Sequence, residues 1–171
     1  MRDSLTRSKR MLLRRTHPQD ISAILEMERH PDNERFVHQW EPEEHMAAVR
    51  SERHLHIVIE NLSGRPIGYM IAAGFQPESD EMELIRLVVG EKGKGYGKEA
   101  LKLIMGLVFR ELNKKRLWLD VRASNERARN LYVSVGFYEE PARQRTVGGD
   151  LEEALLAMTI GEAEYFGKHA R

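Results

Sequence analysis

Hydrophobic positions along the chain switch between two periods, and the switches outline its elements. Met11 to Thr16 is short and apolar and reads as a first strand. Pro18 suits the first turn of a helix, and Ile21, Ile24 and Leu25 repeat at i, i+3 and i+4, which makes one buried helical face. His30, Pro31, Asp32 and Asn33 break that helix, and Pro42 opens a second one carrying Met46 and Val49. From Leu55 the period falls to two. Leu55, Ile57 and Ile59 alternate with His56 and Val58, a turn follows at Ser63 to Pro66, and Ile67 to Ala73 returns as the partner strand. Glu81 to Val89 is a third run whose end, Leu87, Val88 and Val89, is apolar enough to be buried on both faces.

Beyond a glycine-rich loop, Leu101, Ile104, Met105, Val108 and Leu112 line one face of a long helix. Leu117 to Val121 reads as another buried strand. Asn125 stands at the N-cap of a helix with Ala128, Leu131, Tyr132 and Val135 on its apolar face, and Gly136 is a natural stop. Two closing strands, about 140–147 and 153–160, flank a hairpin turn at Gly148, Gly149 and Asp150. The expected order is β-α-α-β-β-β-α-β-α-β-β. Antiparallel hairpins on both sides of a strand–loop–helix–strand unit make this a mixed α/β sheet in one domain, not a doubly wound one. That domain is expected over 11–160, with 1–10 and 161–171 as polar, poorly ordered ends.

Composition narrows the function. The 171 residues suit one domain, and Lys plus Arg, 27, balance Asp plus Glu, 27. Zero net charge argues against bulk affinity for nucleic acid or for an anionic membrane. The basic N-terminus lacks the apolar run of a signal peptide, and no stretch is long enough to span a bilayer, so a cytoplasmic protein is expected. Asn61-Leu62-Ser63 matches a glycosylation sequon but reads as a polar turn. With no cysteine, disulfides, thiolate metal sites and a thiol nucleophile are excluded. Six of the seven histidines (His17, His30, His38, His45, His54 and His56) invite a metal reading but show no zinc-like spacing with a second ligand group, so no metal is expected.

The chemistry lies in the loop. Gly93, Gly95 and Gly97, with Lys92, Lys94, Tyr96 and Lys98, follow a strand and open a helix. Missing Cβ atoms let backbone N–H groups converge, and the helix end adds a positive dipole, so the segment has the make-up of a pyrophosphate cradle. It is neither of the commoner phosphate loops. After Gly90 and Gly95 comes Tyr96-Gly97 where a P-loop needs Lys-Ser/Thr, and the two-residue glycine spacing departs from the dinucleotide fingerprint. Taken alone, a flexible turn with solubilising lysines is the alternative.

Together with the later strand and helix, the Lys92-x-x-Gly95-x-Gly97 loop resembles the GNAT superfamily of acetyl-CoA-dependent N-acetyltransferases. The run from Trp118 through Asp120, Asn125 and Tyr132 to Gly136-Phe137 is similar to the Rim-type ribosomal-protein N-terminal acetyltransferases. Lys92 stands where the motif usually has Gln or Arg, and the loop before it is about two residues shorter than in many members. The resemblance implies acetyl-CoA as donor. The backbone of Leu87 to Val89 would pair with pantetheine, Gly93 to Lys98 would hold the pyrophosphate, and Asn125 would reach the pantetheine arm. It also implies that Tyr132 protonates the leaving thiolate, and that either Glu83 or Asp120 is the base.

The residues leave alternatives open. Asn125 is also a simple helix cap, Tyr132 also a core tyrosine, and either carboxylate also a solvated strand residue. Trp40 and Phe36 either line an acceptor pocket or pack in the core. The acceptor is a primary amine, either a protein N-terminus or a small molecule such as a polyamine, aminoglycoside or amino acid. An α-amine of pKa about 8 lies about 1.4 kcal/mol from neutrality at pH 7, against about 4.6 for a lysine, so it could manage with a modest base. A non-catalytic CoA sensor is the reading from another class. The sequence is compatible with a homodimer.

Overall fold

In a computed structural model, residues 3–34, 39–141, 145–147 and 153–168 are described. Phe36, His38 and the turn expected at Gly148 to Asp150 lie outside them. The described strands are β1 (Ser4–Arg7), β2 (Met11–Arg15), β3 (His54–Asn61), β4 (Pro66–Ala73), β5 (Glu81–Val89), β6 (Arg116–Arg122), β7 (Tyr138–Glu139), β8 (Arg145–Val147) and β9 (Glu153–Gly161). The helices are α1 (Ile21–Arg29), α2 (Pro31–Glu34), α3 (Pro42–Arg50), α4 (Tyr96–Gly106), α5 (Glu126–Ser134) and α6 (Glu162–Lys168). Among the described residues the strands form one sheet in the order β1-β2-β3-β4-β5-β6-β9-β7, with β8 also on β9. Every pair is antiparallel except β5 and β6.

Both faces are covered, which is why Leu55 to Ile59 are all buried despite their alternation. One face packs Leu55, Ile57, Met82, Leu84, Leu117, Leu119 and Val121 against Leu101, Ile104 and Met105 of α4, with Leu131 and Tyr132 of α5 at its edge. The other packs Val58, Tyr69, Ile71 and Val88 against Ile21 and Ile24 of α1, with Trp40 and Met46 alongside. No helix among the described residues is long and apolar enough to cross a membrane.

Four expectations are corrected. The expected poorly ordered ends contain structure: Ser4–Arg7 pairs with β2, and 162–168 form α6. Aromatic packing accounts for the second case, because Tyr165 is buried and stacks on Phe109 at 4.8 Å. The strand expected over 140–147 is instead β7 and β8, separated in sequence and both paired to β9. The long helix does not stay α to Leu112, since Leu107–Glu111 widens to a π turn. Finally, His30 ends α1 as expected, but Pro31 at once starts the single turn of α2.

Candidate active site

The site begins where the sheet fails to stay closed. The parallel ladder runs from Glu81 opposite Arg116 to Glu83 opposite Trp118, and stops there. Beyond it β5 is paired as a strand with β4 only, and β6 with β9 only, so a gap opens between them. The register of β4 against β5 slips at the same place: Ile71 faces Arg86 while Ala72 faces Leu84, which takes Ile85 out of the ladder. Such a bulge bends its strand and re-aims the following side chains. Before it Met82 and Leu84 face the α4 side; after it Leu87 does, and Arg86 goes to the α1 side.

At the end of β5 the chain turns into α4. Gly93 and Gly95 have φ of 77° and 75°, left-handed values that a side chain disfavours, and Gly95 is the N-cap of α4. Both are exposed, so their backbone can approach a ligand at the helix N-terminus. Lys98 is exposed, whereas Lys94 pairs with Glu91 at 2.8 Å. Lys92 donates to Asn33 Oδ1 at 2.5 Å, and partial burial lowers its pKa. Of the three lysines it is therefore tied back toward α2. A Cβ at Gly97 would lie 3.7 Å from both Leu131 and Val89, so α5 closes against the end of β5 beside the start of α4. These features fit a diphosphate at the α4 terminus and an extended arm along Leu87, Val88 and Val89.

Asn125 caps α5 by accepting from the Ala128 N–H at 3.2 Å through Oδ1; its amide nitrogen makes no bond among the described residues. Tyr132 is half-buried, its ring 5.7 Å from that of Phe137, and its hydroxyl has no hydrogen bond among the described residues. Burial pushes its pKa up to about 12, so the phenol stays protonated. Tyr132 stands on the α4–α5 side of the sheet. Glu83 and Asp120 alternate with the core positions of β5 and β6, and so stand on the opposite side. The two candidate bases and the candidate acid meet only across the gap.

On the side of Glu83 and Asp120 the structure adds a group that sequence reading missed. His45 Nδ1 lies 2.9 Å from His56 Nε2, His45 Nε2 2.5 Å from Glu28 Oε1, and Thr16 Oγ1 2.8 Å from His56 Nδ1. Burial, with His45 and Arg86 nearby, pushes the His56 pKa down to about 3. With neutral rings the donors run one way: the Thr16 hydroxyl to His56, His56 Nε2–H to His45, His45 Nε2–H to the Glu28 carboxylate. Glu28 also meets Arg86 Nη1 at 3.3 Å, and the Arg86 guanidinium lies 5.1 Å from the Trp40 ring centre. Trp40 therefore packs at the edge of this group. The histidines bond each other directly, and among the described residues no three His, Asp or Glu side chains are grouped to hold a metal.

Arg10 was also missed, in a segment expected to be a disordered end. It pairs with Glu99 at 2.7 Å, donates to the Lys94 carbonyl at 3.0 Å and lies over the Tyr96 ring. Ser8 donates to the same Glu99. Only a long-range contact reveals such a strap.

Comparison with known proteins decides the family. The acetyltransferase (GNAT) domain model matches residues 10–138. The chain belongs to the GNAT acetyltransferases. It is thus an N-acetyltransferase with acetyl-CoA as donor. Among solved structures, the spermidine N-acetyltransferase from Vibrio cholerae in complex with CoA and spermine aligns with a TM-score of 0.80 at 18% identity, over 93% of this chain and 99% of that one. Glu-to-Gln mutant forms of the spermidine/spermine N-acetyltransferase SpeG from Vibrio cholerae align with a TM-score of 0.77 at 18% identity, over 94% and 98%. No curated protein matches the sequence.

Proposed function

We propose that this GNAT enzyme acetylates the primary amine of a small molecule, and that it does so in the cytoplasm. The observation that carries the reading is the gap after Glu83 and Trp118, with a protonated tyrosine on one side and two carboxylates on the other. Acetyl-CoA supplies an activated acyl group, and the protein has three remaining tasks: to hold the donor, relieve the amine of its proton and give one to sulfur. The backbone of Leu87 to Val89 aligns the arm, Gly93 to Lys98 cradle the diphosphate, and the Asn125 amide reaches the arm while its oxygen stays on the helix cap. Glu83 or Asp120 accepts the amine proton on the α1 side. Tyr132 donates from the α5 side, and its raised pKa keeps that proton available at neutral pH.

The small-molecule acceptor is supported by the spermidine and spermine enzymes that share the fold. The run from Trp118 to Tyr132, similar to the Rim-type enzymes, supports a protein N-terminus as the competing acceptor. A screen by release of free CoA tests both, with polyamines, aminoglycosides, amino acids and N-terminal peptides. Turnover of small amines above peptides is expected. Turnover confined to peptides would reverse the reading, and CoA binding without any turnover would make the protein a sensor.

A further inference from the structure

The buried polar group on the acceptor side has unfinished hydrogen bonding at one point. Arg86 follows the bulge in β5, beside the opening of the gap, and its side chain is only 9% exposed. Its sole hydrogen bond among the described residues is the 3.3 Å contact to Glu28; its other N–H donors make none. The unbonded nitrogens of Arg86 are not sealed from solvent, so they are open to a ligand. Glu28, by contrast, is well held, by His45 at 2.5 Å and by the Trp40 backbone N–H at 3.5 Å. The hydroxyl of Tyr69, fully buried, is turned toward Arg86 and Glu28 without a hydrogen bond of good geometry. Arg86 thus carries free donors on a braced scaffold.

Resting on the small-amine reading, we propose that Arg86, braced by Glu28 and stacked on Trp40, anchors a carboxylate of the acceptor, so that the acetylated amine belongs to an amino-acid-like molecule. The planar fork of an arginine matches a carboxylate. The same face carries Glu83 and Asp120, which suit a cationic amine. Glu83 and Arg86 are three residues apart on one strand, roughly 10 Å at about 3.3 Å per residue, so one small molecule spans from a carboxylate site to an arginine site. A polyamine has no anion for Arg86.

Matched acceptors test this: lysine against cadaverine and ornithine against putrescine, each pair differing by one carboxylate, scored by kcat/KM for CoA release. The amino acids are expected to win by about tenfold to a hundredfold, the range for a charge-assisted hydrogen bond. In Arg86→Met that preference should collapse through the acceptor KM, while the KM for acetyl-CoA stays put. Diamines performing equally well with the unaltered enzyme would overturn the anchor and leave the small-amine reading standing. A preference that survives in Arg86→Met would overturn it too. Turnover of N-terminal peptides alone would overturn both. The wild-type pairs decide the matter even if the variant does not fold.

Discussion

The two faces of the sheet are built by different rules. The face toward α4 and α5 is apolar throughout its core, and what chemistry it offers comes from backbone: a ladder that ends, left-handed glycines, a helix terminus, and one tyrosine at the rim. The face toward α1 and α3 is broken by Thr16, His56, His45, Glu28 and Arg86, a connected chain of buried polar side chains. The first face needs only periodicity and glycine, so a common donor can be held by many sequences. The second needs particular side chains from four separate elements and the loop after β2, and there an acceptor can be told from its rivals.

The largest expected effect tests the face with the donor. Tyr132→Phe keeps the ring against Phe137 and removes the proton. The kcat should fall by about 10²–10⁴-fold, with the acetyl-CoA KM little changed. Steady-state kinetics supported by a thermal melt checks this, and near-normal kcat would return Tyr132 to packing.

The next effect belongs to the opposite face. Of Glu83→Gln and Asp120→Asn, the variant lacking the true base should lose about 10²-fold or more in kcat/KM at low pH, recovering as the amine deprotonates unaided. A pH–rate profile separates the two. Equal, pH-independent losses would show that neither carboxylate takes the proton.

Smaller still is Gly95→Val. At φ of 75° a β-branched residue is strained, by roughly 1–2 kcal/mol, and its side chain stands where a diphosphate would approach. The acetyl-CoA KM should rise about tenfold or more while the acceptor KM holds. Unchanged donor affinity in a folded variant would remove the loop from the donor site.

The contrast also explains what could be read in advance. Periodicity revealed β2 to β6, α1, α3 and α5, because each buries a regular stripe, and the glycines marked the loop. Ser4–Arg7 and α6 escaped because their few apolar residues (Leu5, Tyr165, Phe166) are too sparse to set a period, and tertiary packing orders them. Tyr132, Glu83 and Asp120 were singled out, but which side of the sheet each occupies required the register. Glu28, His45 and His56 gave no signal, since 17 and 11 residues separate the bonded pairs. Arg86 was not singled out, and only the bulge in the register shows which side of the sheet it takes.

The smallest effect on activity at neutral pH, and the cleanest on stability, concerns His56. Its pKa is about 6.5 when exposed and about 3 in the fold, where burial opposes the charge. As pH falls below 6.5 the unfolded chain gains a proton that the native state refuses, so stability is full above that value and declines on acidification by roughly 1.4 kcal/mol per unit. The loss continues until about pH 3. Carboxylates held below their usual range, such as Asp20 and Glu99, lose their contribution only as pH falls past about 4, so the window from 6.5 to 4.5 belongs to histidine. His54, also lowered by burial, loses stability in the same direction on acidification and must be controlled. Urea unfolding across it should show a slope in the wild type that His54→Gln reduces slightly and His56→Gln reduces most. A wild-type stability flat over that window would mean that the Thr16–His56–His45–Glu28 chain admits a proton, with His56 Nδ1–H then donating to the Thr16 hydroxyl.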